Sequence, residues 1–180
     1  MSGESTRSGR SISLFLAGML LMLAPLEAQD SKKTTPHEQS EFGAEDEKWD
    51  QPARVPDEVL QILRGVENAA PNELPAQRLL ASEIHLGPPG ELDLIVMGIG
   101  GLRGAHVVPF WVFRKKREGY DLVLSTGGDS LKVLNARSNG YRTIKAYNIG
   151  QAGRALTTAT YKFGGGRYQE YKVRTEAINR

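Results

Sequence analysis

Val107 to Tyr147 reads VVPFWVFRKKREGYDLVLSTGGDSLKVLNARSNGYRTIKAY, a series of short β-like runs separated by turn-forming clusters. Its first run, Ala105 to Phe113, is apolar on both alternating faces. Val107, Trp111 and Phe113 share one face, and Val108, Phe110 and Val112 the other. A run buried on both sides suits an interior strand. Pro109 cannot donate to a ladder, so a bulge or an edge contact is expected there. RKKREG (Arg114 to Gly119) reads as a turn, Tyr120 to Ser125 as a strand, and Thr126 to Ser130 as a second turn. Leu131 to Arg137 is the next strand. Ser138-Asn139-Gly140 then carries the Asn-Gly pair that takes the left-handed conformations of a type I′ hairpin turn. Tyr141 to Ile149 returns.

Outward from this centre, Asp93 to Gly98 (DLIVMG) reads as a strand and Ile99 to Gly104 as a loop. Gln77 to Leu86 fits either a short helix running into a strand or one strand throughout. Thr158 to Phe163 and Arg167 to Val173 form a last hairpin across Gly164-Gly165-Gly166. Tyr161 and Phe163 are set to face Tyr168 and Tyr171 across it. On the N-terminal side, Pro56 to Ala70 predicts a helix. Pro56 suits a first helical position, Asp57 and Glu58 complement the positive end of the dipole, and Pro71 stops it. Val59, Leu60, Ile62, Leu63 and Val66 make an apolar stripe at helical spacing. The expected fold is therefore α+β and mainly β. A short N-terminal helix packs on an antiparallel meander of six or seven strands.

The chain divides into three parts. Residues 1–28 read as a signal peptide: Arg7 and Arg10 supply the basic flank, and Ile12 to Ala24 the apolar run. That run is 13 residues long, short of the roughly 18 that span a bilayer. A retained membrane anchor is the alternative, and membrane contact would come only through this segment if it stays uncleaved. Residues 29–53 are polar and read as a disordered linker, with Phe42 and Trp49 as the apolar exceptions. Residues 54–180 form the single domain. Export to the periplasm or the medium is the expected address.

The 180-residue chain carries a net charge of +2 and no cysteine. The charge is too small to imply a nucleic-acid partner. The lack of cysteine excludes disulfides, thiolate metal ligands and cysteine catalysis, so stability must come from apolar burial.

Leu86 to Val96 reads LGPPGELDLIV. This resembles the turn-and-strand signature of FG-GAP and VCBS-like modules, and with FWVFR, GYDLVL and YKFGGGRY it is similar to a group of exported bacterial proteins with an antiparallel meander. The resemblance implies export and β-structure rather than an activity. In the calcium-binding form of such loops, side-chain oxygens alternate before a glycine. Gly90 matches that glycine and Asp93 a later acid, but His85, Gly87 and Pro89 hold the alternate positions and supply no carboxylate. A hard cation wants several oxygen ligands, so no metal and no cofactor is expected.

Three readings of function remain. The first is a non-catalytic binding module of the cell envelope, its partner a protein or an envelope component. The second is a hydrolase-type enzyme in which His85 and His106 meet Glu83 or Asp93; strand histidines are more often surface residues, and the spacing matches no metal motif. The third is an anionic-ligand binder at Arg114, Lys115, Lys116 and Arg117, joined by Lys162, Arg167, Lys172 and Arg174; a basic hairpin tip is more usually a solvated turn that discourages edge aggregation. Ser125 to Ser130 lacks both the nucleophile elbow and the Walker lysine. Met97 to Gly101 lacks the helix that a dinucleotide glycine loop needs.

Overall fold

A computed structural model describes residues 38–46, 49, 52–104, 107–150 and 153–178. The expected signal peptide lies outside them. Strand β4 (Val108–Lys115) is the middle of the molecule, as its two apolar faces require. One face, Val108, Phe110 and Val112, joins a core shared with a second sheet. The other, Trp111 and Phe113, joins a core shared with helix α1 (Asp57–Glu67). The result is three layers: helix, four-stranded sheet, five-stranded sheet.

The four-stranded sheet runs β2 (Leu79–Ile84), β3 (Asp93–Gly98), β4 and β5 (Tyr120–Gly128), antiparallel throughout. Every residue of β3 is buried, which explains its unbroken apolar run. The β3 ladder with β4 stops at Phe110, so Pro109 owes β3 no hydrogen bond. The bulge lies instead where the register shifts between Val112 and Phe113. It leaves both Val123 and Leu124 in the inter-sheet core.

The five-stranded sheet runs β1 (Glu41–Gly43), β6 (Ser130–Ser138), β7 (Tyr141–Gly150), β8 (Ala155–Gly164) and β9 (Arg167–Ala177). The fold is thus α+β and mainly β, as expected, with nine strands in two sheets among the described residues. The extra strands are β1, from the polar segment, and β2, from the stretch that fitted either a helix or a strand. Part of the expected linker enters the fold: Phe42 in β1 pairs with Leu131, is fully buried, and meets Trp49 edge to face at 4.9 Å. The two aromatic side chains help anchor this otherwise polar stretch on the sheet, because each buries a large apolar area, and the β1 ladder and the Glu38–Arg142 ion pair hold it further.

Thr126 to Ser130 is not a free turn. β5 continues to Gly128, and the chain changes sheets across Asp129 alone. The Asp129 N–H donates to the Tyr147 carbonyl at 2.7 Å, and the Asp129 carbonyl accepts from Ala44 at 2.7 Å. A Cβ at Gly128 would stand 2.5 Å from the Tyr147 oxygen. Glycine serves here for close backbone approach, not for a turn. The Asn139-Gly140 turn is as expected, with φ of 51° and 83°.

Helix α1 is shorter than the expected Pro56 to Ala70. Pro56 is its N-cap, and Asn68 in the left-handed conformation ends it. Val59, Leu60 and Leu63 pack on Leu94, Val96, Trp111 and Phe113. Two glutamates hook it to the sheet: Glu67 accepts from the Trp111 indole at 2.9 Å, and Glu58 from the Tyr120 N–H at 3.2 Å. The ambiguous Gln77 to Leu86 resolves into a single 3₁₀ turn, Ala76–Arg78, followed by β2.

Candidate functional site

Of the residues proposed for hydrolysis, the described ones, Glu83, His85 and Asp93, share no hydrogen bond or ion pair with one another. His85 binds Glu38: the carboxylate accepts from the His85 backbone N–H at 2.7 Å and lies 2.8 Å from its Nδ1. The other Glu38 oxygen accepts from the Arg142 guanidinium at 2.7 Å. His37 and His106 lie outside the described residues. Glu83 is exposed on β2, and Asp93 is buried on β3. Asp93 accepts the backbone N–H of Leu86 at 3.2 Å and of Lys115 at 3.0 Å, so it pins the Leu86–Leu92 loop to the start of the basic turn. Among the described residues no group of three His, Asp or Glu could hold a metal ion.

These contacts give a polar cluster at one end of the inter-sheet core, with the His85 ring half-exposed at its edge. Burial pushes the Glu38 carboxyl up, but the His85 N–H and ring and the Arg142 guanidinium outweigh it and hold the group below its ordinary value. Burial raises Asp93, against the pull of its backbone donors. Burial also raises Tyr168, whose hydroxyl donates to the Arg142 carbonyl at 2.7 Å. Arg142 spends its remaining N–H groups on the Leu134 and Val133 carbonyls and on Asn135. A cavity of about 310 Å³ opens beside Asp93, lined by Gly87, Pro88, Pro89, Glu91 and Tyr141. Glu91 shares this lining with Asp93, and its charge adds to the upward shift of the Asp93 carboxyl.

The basic turn is largely spent on internal partners. Arg114 and Lys116 both bind Asp121, at 2.8 and 2.5 Å. The Lys116 ammonium is the main reason the Asp121 carboxyl lies below its ordinary value. Arg114 also stands over the Phe163 ring at 5.7 Å, and Lys115 over Tyr120 at 4.1 Å. Arg117 alone of the four is exposed with no ion pair among the described residues. The companions named from the sequence go elsewhere. Phe163 faces the inter-sheet core, so its neighbour Lys162 points to the opposite, outer face of the sheet.

That outer face is the surface the sequence reading missed. Strand pairing puts Lys132, Lys145, Thr160 and Lys172 in one continuous row across β6 to β9. A second row holds Ser130, Tyr147, Thr158 and Arg174. Residues directly opposite share a face. The alternate row, Leu131, Ala146, Ala159 and Val173, turns toward the inter-sheet side, where Leu131 and Ala146 are buried. Tyr171 does not meet Tyr161, because the register shifts between Thr160 and Tyr161. It lies 65% exposed under the Lys162 ammonium, 3.5 Å from its ring centre. Tyr161 instead shares a 2.8 Å hydrogen bond with Thr126. A depression of about 310 Å³ opens at the β1 end of the face, among Glu41, Asp46, Ser130, Lys132 and Tyr147. The sequence signal was the alternation itself: in LKV and IKAY, each lysine stands between apolar residues that fill the core.

No protein-family model, no curated protein and no solved structure matches this chain. No described helix is long and apolar enough to cross a membrane.

Proposed function

We propose that the chain is an exported, non-catalytic interaction module of the cell envelope, and that it engages its partner through the outer face of the five-stranded sheet. The observation that carries this reading is the contrast between two polar regions. In the Glu38–His85–Arg142 cluster, Glu38 and Arg142 are engaged with each other and with nearby backbone groups, and the half-exposed His85 ring is held through its Nδ1 by Glu38. The outer face leaves Tyr171, Lys172 and Arg174 exposed over a rigid ladder. Rigid secondary structure presenting open side chains suits recognition without chemistry. The apolar run Ile12 to Ala24 and the turn-and-strand likeness at Leu86 to Val96 add export to the reading.

Photocrosslinking tests it. A photoreactive residue replaces Thr158 on the outer face, or Glu91 beside the Asp93 cavity, in the full chain expressed with its own N-terminus. Crosslinking of a discrete envelope component from position 158 and not from 91 is the expected result. Recovery of the chain from the cytosol alone, or equal crosslinking from both positions, overturns the proposal.

A further inference from the structure

We infer that the outer face of the five-stranded sheet binds a linear acidic polysaccharide, one bearing carboxylate or sulfate groups along its length. The inference rests on the interaction-module reading and names its ligand class. The first ground is the arrangement of charge. Lys132 and Lys145 stand directly opposite each other on neighbouring strands, a like-charge pairing that costs stability unless something offsets it. Glu41 relieves Lys132. Lys145 and Lys172 have no acidic partner among the described residues, and Thr160 lies between them in register. Strands about 4.8 Å apart put these two cations about 10 Å from each other. Arg174, although bridged to Glu176, and Lys162 extend the patch on either side.

The second ground is what lies between the cations. Thr158 and Thr160 offer hydroxyls, and Tyr147 and Tyr171 offer rings. A sugar chain has the matching parts: anionic groups, many hydroxyls, and rings with an apolar face. The surface is also extended, since its rows cross four strands and a depression sits at its β1 end. That shape fits a polymer laid across strands better than a compact ligand. With a net charge of only +2, general attraction to polyanions is weak, so binding depends on this local arrangement.

The test titrates the full chain with two defined probes, heparin and polyguluronate, by calorimetry at several salt concentrations. The wild type is expected to bind at least one, with affinity falling as salt rises. The variant K145E/K172E is expected to bind about tenfold or more weakly, having lost two of the cations that displace counter-ions from the polyanion on binding. The milder K145Q/K172Q should fall between them. K116E/R117E, on the turn between β4 and β5, should match the wild type. Thermal melts of all variants show that each is folded. Equal weakening by the sheet and turn variants overturns the assignment to this face. Failure of the wild type to bind either glycan, or tighter binding to a single-stranded oligonucleotide or to anionic vesicles, overturns the ligand class. In those cases a surviving crosslink at position 158 shows that the interaction-module reading stands without it.

Discussion

The two sheets of this protein are built from similar strands and differ in how many faces they bury. The four-stranded sheet lies between a helix and its sister sheet, and β3 has no exposed residue. The five-stranded sheet buries one face, and its last strand, β9, is exposed along nearly all of its length. Burial on two faces leaves no surface to recognise anything, and burial on one leaves a rigid platform. Stability should therefore concentrate in the first sheet and recognition in the second. Mutations in the two regions ought to separate along that line.

The largest effect is expected from Phe110→Ala in β4, whose side chain is fully buried between the sheets. Emptying such a site costs about 3–5 kcal/mol, read as a lower urea midpoint with the slope retained. A loss below about 1 kcal/mol, the size of an ordinary surface change, would break the comparison.

Next is Gly128→Ala at the crossing between sheets. The added methyl meets the Tyr147 carbonyl, and overpacking of this kind costs about 1–3 kcal/mol. Because the Asp129 crossing ties the end of β5 to β7 through the Tyr147 carbonyl, hydrogen exchange should quicken in both β5 and β7. Quickening in one strand alone would mean the sheets are joined elsewhere.

The polar cluster should show itself in the pH dependence of stability, because its two carboxyls act in opposite senses. Glu38 folds to a value below its ordinary 4.5. Its contribution is complete above that pH and is lost as pH falls through the depressed value. Asp93 is raised above its ordinary 3.8. It favours the fold at acid pH, and that help is lost as pH rises through the raised value. Glu38→Gln should cost about 1–2 kcal/mol at neutral pH, the worth of charge-assisted hydrogen bonds discounted for partial exposure. It should also remove part of the acid-induced loss. Asp93→Asn should remove the opposing trend. Parallel stability–pH curves for the wild type and both variants would contradict the assignment.

The smallest effect is expected from Tyr171→Ser on the outer face. Its ring makes one exposed contact with Lys162, worth about 0.5–1 kcal/mol at most. The same substitution should weaken glycan binding while leaving the urea midpoint almost in place. A large destabilisation there would mean the outer face is structural.

Much of the four-stranded sheet was legible in the chain. The double apolar face of Val108 to Phe113, the strand DLIVMG and the Asn-Gly hairpin each carry a local signal strong enough to read. The candidate binding face was not legible, although Lys162, Lys172 and Arg174 were noticed as basic. Charge alone groups them with Arg114 to Arg117, and the fold sends the two groups to different surfaces. Phe42 and Trp49 were visible as apolar exceptions. Nothing in a polar segment tells where two aromatics will dock, so β1 could not be foreseen. His85 looked available because Glu38 lies 47 residues away along the chain.

The sequence by itself determined most of the strands, their faces and the absence of thiol chemistry, because alternation, turn propensity and composition act over a few residues. Only the tertiary structure decided which strands became neighbours. Cross-strand register joins residues distant along the chain, and no local signal encodes that Lys145 will stand between Lys132 and Thr160, one row of a single open surface.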